Sequence, residues 1–151
     1  MVYIEVMTRI VPIARILLGL VFVVFSLNYF VPFLPQPKGV PAEAMAFAGA
    51  FMTAGYLTFI KVIELAAGLA LLANRFTTLA LALLAPMVVG IVIFHARLEP
   101  AGLPVALLVL VLELFLAWSY RAAYRPMLAA RVAPTVADAR AVAPIAAPRA
   151  A

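Results

Sequence analysis

Four long apolar stretches dominate the chain and limit what it can fold into. They cover about residues 10–34, 56–74, 77–96 and 103–121. A helix of about 20 apolar residues crosses a hydrocarbon core of about 30 Å, and each stretch is close to that length. Hydrophobic residues make up 68% of the chain and charged residues 11%, whereas soluble domains carry about 25% charged residues. The sequence therefore predicts an all-α protein, an integral membrane four-helix bundle.

Prolines and polar residues mark the ends of the predicted spans. Pro12 falls in the first turn of the first span, where proline is tolerated, and Pro32 lies near its end. The polar pair NR at residues 74–75 forms a turn between the second and third spans. Pro86 predicts a kink in the third span. The fourth span ends in the segment WSYR at residues 118–121, whose aromatic and basic side chains are typical of a membrane interface.

Two regions lie outside the four spans. The segment at residues 42–53, rich in Ala, Met and Phe, is either a short interfacial helix or an outer extension of the second span, and Gly55 is the expected joint. The transmembrane domain is predicted to cover residues 1–126. Residues 127–151 are rich in Ala, Pro and Arg and poor in large apolar side chains, so we expect a disordered tail.

The placement of arginine and lysine predicts the orientation of the chain. With four spans, one side of the membrane receives Arg9, Arg75, Arg121, Arg125, Arg131, Arg140 and Arg149. The loops of the other side carry Lys38 and Arg97. Because basic residues accumulate on the cytoplasmic side, we expect both termini and the tail to be cytoplasmic. This asymmetry also accounts for most of the net charge of +5 without a nucleic-acid partner.

Four charged residues inside the apolar stretches are the best candidates for a functional site. They are Arg15, Lys61, Glu64 and Glu113. A charge near the bilayer centre costs about 2.5 kcal/mol or more, so these residues are expected to face protein or a cavity and to find partners. Lys61 and Glu64 lie three residues apart on one helix face and are predicted to pair. Arg15 is predicted to bridge Glu113, which gives a buried cluster of zero net charge.

A second group of polar residues is predicted near the outer ends of the helices. Counting the helical rise from the basic side places Asn28, Lys61 and His95 at one level, with Tyr29 and Tyr56 nearby. Three interpretations stay open for the two groups. They hold the helices in register, or they line a pocket for a small polar-headed molecule such as a quinone, or they form a proton path.

The chain lacks the residues of several familiar catalytic and cofactor sites. It has no cysteine, which excludes thiol redox chemistry, iron–sulfur ligation and a nucleophilic thiol. Its single histidine excludes bis-histidine haem ligation within one chain. No nucleotide-binding loop, dinucleotide fingerprint, serine elbow or metal-binding helix motif is present. We therefore expect no metal and no covalently bound cofactor, and the sequence favours a non-catalytic subunit over an enzyme that acts on its own, with both left open.

Four segments occur in a particular order along the helices. They are ARILLG at residues 14–19, ELAAGLALL at residues 64–72, LAP at residues 84–86 and FH at residues 94–95. In this order and spacing the chain resembles the DoxX family of bacterial four-helix membrane proteins, over about residues 9–124.

One departure from this family concerns the end of the first span. Many members carry a Gly-Lys pair there, whereas the segment FSLNYF at residues 25–30 has no lysine. We hypothesise that Lys61 supplies the missing charge from the neighbouring helix.

The resemblance implies a bacterial inner-membrane location and a link to redox chemistry. Some members of the family are linked to thiosulfate:quinone oxidation or to membrane-associated oxidoreductase assemblies. Since this chain has no redox centre of its own, it is expected to be a cofactor-free membrane subunit or a quinone-interacting accessory of an oxidoreductase system. Its expected partners are the lipid bilayer and an oxidoreductase, either membrane-bound or peripheral.

Two alternatives belong to other functional classes. The first is a small proton-coupled transporter or exporter that uses Glu64 or Glu113 as its titrating carboxylate. The second is a purely structural membrane scaffold. A quinone pocket requires aromatic and aliphatic walls within reach of His95 or Lys61. A transporter requires a water path to the carboxylate, and a scaffold requires neither.

Overall fold

The regular structure of the chain is helical throughout the part described by the structure, a computed structural model that describes residues 2–35 and 37–132. The helices are α1 (Val2–Phe30), α2 (Ala42–Thr53), α3 (Tyr56–Leu72), α4 (Thr77–Arg97), α5 (Leu103–Ser119) and the short α6 (Arg121–Tyr124), with a 3-10 turn at Pro100–Gly102. The predicted all-α class is confirmed.

The chain divides into two compact units, residues 1–121 and residues 122–151. In the second unit the structure describes residues 122–132, where the N–H of Leu128 donates to the carbonyl of Tyr124 at 3.1 Å. Most of the predicted tail, from residue 133 onward, lies outside the described residues.

Four helices of the first unit surround its hydrophobic core. Helix α1 packs on α3 and α5, and α4 packs on the same two helices, so the contacts run in the order α1, α3, α4, α5 and back to α1. The fully buried side chains at the centre come from all four: Leu18, Leu71, Leu81, Leu84, Val88 and Leu116. Helix α2 packs against α3, outside this ring.

The outward faces of the long helices are as apolar as their interior. Ile13, Leu79, Leu108, Val111 and Leu114 are each more than half exposed. Large exposed apolar surfaces mark a protein or membrane contact rather than a face toward water. In the described residues, three segments are long and apolar enough to cross a membrane: Glu5–Phe30, Thr77–Arg97 and Pro100–Ser119.

The bounds of α1 differ from the predicted span at residues 10–34. The helix begins at Val2 and ends at Phe30, so Pro12 lies inside it rather than in its first turn. Its end has two causes. The residue that precedes a proline disfavours α-helical backbone angles, and for this reason the helix ends before Pro32. In addition, the side-chain oxygen of Asn28 accepts the N–H groups of Phe33 at 2.9 Å and Leu34 at 2.7 Å and holds the departing chain.

A sharp bend separates α2 from α3. The two helices meet at 84°, and Gly55 at the joint has a φ of 71°, in the left-handed region that glycine adopts without strain. Helix α2 is therefore not a straight extension of the second span. With 17 residues, α3 is about 25 Å long, slightly shorter than the hydrocarbon core of a bilayer.

The turn from α3 to α4 is closed by backbone hydrogen bonds. Asn74, with a φ of 54°, occupies the left-handed position that ends α3. Its N–H donates to the carbonyl of Leu71 at 3.1 Å, and the N–H of Arg75 donates to the carbonyl of Ala70 at 3.0 Å. This is the Schellman pattern, and it allows α4 to start only a few residues later beside α3.

Helices α1 and α3 approach most closely at a pair of glycines. Small residues in apolar helices favour such contacts. A Cβ on Gly19 would lie 3.0 Å from the carbonyl oxygen of Gly68, and a Cβ on Gly68 would lie 3.0–3.1 Å from Val23 and Gly19. Gly90 of α4 makes no such contact, because a Cβ there would meet no atom within 4 Å.

Gly68→Val should separate α1 from α3, because the added side chain would press on the backbone of both Gly19 and Val23. We expect a loss of about 1–3 kcal/mol in the free energy of unfolding. Circular dichroism during titration of the detergent-solubilised protein with SDS would measure it. Gly49→Val is the matched control, since a Cβ on Gly49 meets nothing within 4 Å. Equal stability of the two variants would contradict the packing.

Candidate functional site

The Glu64 carboxylate is the most deeply buried charge in the described residues. Its residue is 2% exposed. The Lys61 ammonium donates to Glu64 Oε2 at 2.7 Å, one turn earlier on α3, so the predicted ion pair is present. The Ser26 hydroxyl, fully buried on α1, donates to the same oxygen at 3.4 Å. The carboxylate therefore joins α1 to α3 and keeps the Lys61 side chain, 20% exposed, directed inward.

A cavity of about 620 Å³ lies between α2, α3 and α4, beside this ion pair. Its polar lining groups are those of Lys61, Glu64, His95 and Tyr56. The rest of the lining is apolar: Phe47, Ala48, Phe51, Leu57, Phe59, Ile60, Pro86, Met87, Gly90, Ile91 and Phe94. Sites for small organic ligands have this size, about 300–1,000 Å³, and this combination of apolar walls with few polar groups.

Aromatic rings form a continuous series along one wall of the large cavity. Phe47 and Phe51 of α2 stack with their centroids 4.6 Å apart. Phe47 reaches Phe94 of α4 at 5.8 Å, and Phe51 meets Tyr56 of α3 edge-on at 5.4 Å. The bend at Gly55 makes this possible, because it brings α2 across the ends of α3 and α4.

A smaller cavity of about 140 Å³ lies among α1, α3, α4 and α5. It shares four lining residues with the larger one: Lys61, Glu64, Ile91 and His95. Its other walls are apolar side chains of α1 and α5. The ion pair and the histidine therefore separate two spaces and are accessible from both.

His95 is held by the loop that follows α4. Its Nδ1 lies 2.7 Å from Oε2 of Glu99 and 3.0 Å from the Glu99 carbonyl oxygen. The same carboxylate oxygen accepts the N–H of Gly102 at 3.1 Å. A Cβ on Gly102 would overlap Cε1 and Nδ1 of the imidazole, so glycine is needed there for the histidine to keep this position.

Arg15 does not pair with Glu113. No ion pair joins them in the described residues, and the guanidinium instead donates to the carbonyl oxygens of Leu71 and, at 3.5 Å, Leu72. The last carbonyls of a helix lack partners within it and carry partial negative charge, so a buried cation is stabilised at this end of α3. The helical rise could not predict this partner. Every residue has a backbone carbonyl, so no residue type indicates which carbonyl binds Arg15.

Glu113 lies apart from both cavities. The residue is 4% exposed, and its Oε2 has no hydrogen-bond partner in the part of the chain that the structure describes. It is absent from the lining of either cavity. The predicted cluster is thus divided into three places: the pair Lys61 and Glu64 at the cavities, Arg15 at the end of α3, and Glu113 on α5.

The predicted pocket residues are divided as well. Tyr56 and His95 line the large cavity. Asn28 and Tyr29 line neither cavity, since Asn28 binds the chain after α1 and the Tyr29 hydroxyl is 2.6 Å from the Thr58 hydroxyl.

Three residues that hold the ion pair and His95 were not predicted from the sequence: Ser26, Glu99 and Gly102. The phenylalanines of the cavity wall were not predicted as site residues either. Glu99 is four residues after His95, the spacing of neighbouring side chains on a helix, and that spacing was a usable signal. The only sequence signal for Ser26 was a polar side chain within an apolar span. The role of Gly102 depends on the loop conformation.

Neither family models, nor curated proteins, nor solved structures yielded a match to this chain. In the described residues, no group of three or more His, Cys, Asp or Glu side chains is placed to hold a metal ion.

Lys61→Met should leave the Glu64 carboxylate buried without its cation, and we expect a loss of about 3 kcal/mol in the free energy of unfolding. Lys61→Met combined with Glu64→Leu should restore most of that loss, because replacing both charges removes the burial cost. SDS titration followed by circular dichroism would measure both variants. Arg9→Met, which breaks a solvent-exposed pair with Glu5, is the control and should change stability little. An unchanged stability of Lys61→Met would contradict the role of the pair.

Proposed function

We propose that the protein is a four-helix membrane protein that binds a small ring compound with a polar head group, of the quinone class, in the cavity between α2, α3 and α4. The observation that carries this proposal is the lining of that cavity. Stacked aromatic rings and aliphatic side chains form its walls, and Lys61 and His95 are among its few polar groups. Aromatic walls suit a planar ring, and an ammonium suits the carbonyl oxygen of a quinone.

The proposed membrane location rests on the surface of the helices. Helices α1, α4 and α5 expose apolar side chains and have the length of membrane spans. Helix α3 would be the fourth span, and α2, turned by 84°, would lie along the membrane surface. In this arrangement the arginine-rich loops and both termini are cytoplasmic, as the positive-inside rule requires, in a bacterial inner membrane.

The proposed role is that of an accessory to an oxidoreductase. The chain has no cysteine and one histidine, so a redox centre would come from a partner protein. This composition fits a DoxX-like membrane subunit that binds quinone while its partner protein carries the redox centre. Lys61 also fits the hypothesis that it replaces the family's lysine on the first helix, because its partner Glu64 contacts Ser26 in that segment of α1.

The unpartnered oxygen of Glu113 favours a second candidate, a small proton-coupled transporter. A buried carboxylate without a partner is a candidate proton carrier. That function requires a water path to the carboxylate, yet neither cavity is lined by Glu113, and Glu64 is occupied by Lys61. A purely structural scaffold would need no cavity of about 620 Å³. Quinone binding therefore explains more of the structure.

Gly90→Leu should block the proposed site without disturbing the fold. Gly90 lines the large cavity, and a Cβ there meets no atom within 4 Å, so a leucine would occupy the ligand's space. We expect stoichiometric binding of a short-chain benzoquinone to the wild-type protein in lipid nanodiscs. For Gly90→Leu we expect affinity at least about tenfold lower, as loss of about 1.4 kcal/mol implies. Isothermal titration calorimetry would measure both.

Gly49→Leu is the matched control, because Gly49 also has open space around it and does not line the cavity. It should bind the benzoquinone as the wild type does. A wild-type protein that binds no benzoquinone, or a Gly90→Leu variant that binds it equally well, would contradict the proposed site.

A further inference from the structure

We propose that this cavity selects the reduced, hydroxyl-bearing form of its ring ligand over the quinone, because Glu99 positions His95 as a hydrogen-bond acceptor. The inference rests on the proposed function and adds to it the chemical form that the site prefers. It concerns binding and involves no transfer of electrons.

The contacts of His95 determine which imidazole nitrogen carries the proton. Nδ1 of His95 faces the backbone carbonyl oxygen of Glu99 at 3.0 Å and its carboxylate at 2.7 Å. A carbonyl oxygen can only accept, so Nδ1 must donate. In the neutral imidazole the second nitrogen, Nε2, then carries a lone pair and no proton. Glu99 thus fixes the tautomer, as carboxylates do for other functional histidines.

The imidazole ring is turned with Nδ1 and Cε1 toward Gly102, where a Cβ would overlap both atoms. Nε2 has no hydrogen-bond partner in the described residues and is not among their buried, unpartnered polar atoms, so it is accessible. Since His95 lines both cavities, this accessible nitrogen is the acceptor that His95 can offer to a ligand there.

The Lys61 ammonium is the hydrogen-bond donor that complements this acceptor. Lys61, the basic residue of the large cavity, has an ammonium with three donor hydrogens, one of which is used by Glu64 at 2.7 Å. A quinone carbonyl can accept from Lys61 and can give nothing to Nε2. A hydroquinone has hydroxyls that both donate and accept, so it satisfies Lys61 and His95 together.

The single histidine makes this arrangement directly observable. For NMR, the protein is purified with an affinity tag that contains no histidine and is labelled with ¹⁵N-histidine. In nanodiscs at alkaline pH its spectrum then contains the signals of a single imidazole. We expect a protonated Nδ1 and an unprotonated Nε2 in the absence of ligand. Under anaerobic conditions, a short-chain benzohydroquinone should shift the Nε2 resonance, and the matching benzoquinone should not.

Affinity provides the second readout. By calorimetry the hydroquinone should bind up to about tenfold more tightly than the quinone, the value of one additional hydrogen bond. Glu99→Leu removes the carboxylate and leaves the backbone carbonyl of residue 99 as the acceptor for Nδ1, so it should reduce this preference, while quinone affinity stays unchanged. Glu99→Gln, whose amide oxygen can still accept from Nδ1, should keep it. Glu43→Leu, at an exposed acidic residue of α2 outside the cavity, should behave as the wild type.

The outcomes separate this inference from the proposed function. A protonated Nε2 in the ligand-free protein overturns the inference, whatever binds. Equal or weaker binding of the hydroquinone also overturns it but leaves the quinone site intact. Binding of neither compound overturns the proposed function, and the ligand preference with it. A preference that is undiminished in Glu99→Leu would show that the Glu99 carboxylate does not position the histidine.

Discussion

Burial of the Glu64 carboxylate among apolar helices is the constraint on which the site depends. A carboxylate that is 2% exposed needs a cation close by, and Lys61 meets this need from one turn away on the same helix. The Ser26 hydroxyl extends the contact to α1. As a result the Lys61 side chain points into the protein. Lys61, Glu64 and His95 of α4 line both cavities. The most deeply buried carboxylate of the described residues and its cation therefore line both cavities.

The interface between α1 and α3 is fixed at four levels along two antiparallel helices. From one end to the other these are Tyr29 with Thr58, Ser26 with Glu64, Gly19 with Gly68, and Arg15 with the carbonyls of Leu71 and Leu72. Three levels satisfy polar groups and one allows the backbones to approach. These contacts hold α1 against α3, the helix that carries Lys61 and Glu64. Helix α2, joined through Gly55 and packed mainly on α3, supplies the opposite aromatic wall.

The sequence was most informative where the physical rule is local. Apolar length predicted four long helices, and the spacing of Lys61 and Glu64 predicted their pair, because both depend on helix geometry alone. Partners across helices were harder to infer. Arg15 binds backbone carbonyls rather than Glu113, and the role of Glu99 depends on a loop that turns back toward His95. The cavity itself arises from the 84° bend at α2, and a glycine in the sequence does not specify such an angle.

The proposed function depends on binding of a quinone-class ring between α2, α3 and α4. Crystals grown in lipid and soaked with a brominated short-chain benzoquinone would test this binding, because anomalous scattering locates bromine without reference to any expected position. We expect a bromine peak inside the cavity, in contact with its aromatic wall and near Lys61 and His95. Bromine bound elsewhere, with this cavity empty of it, would show that the proposed site is wrong.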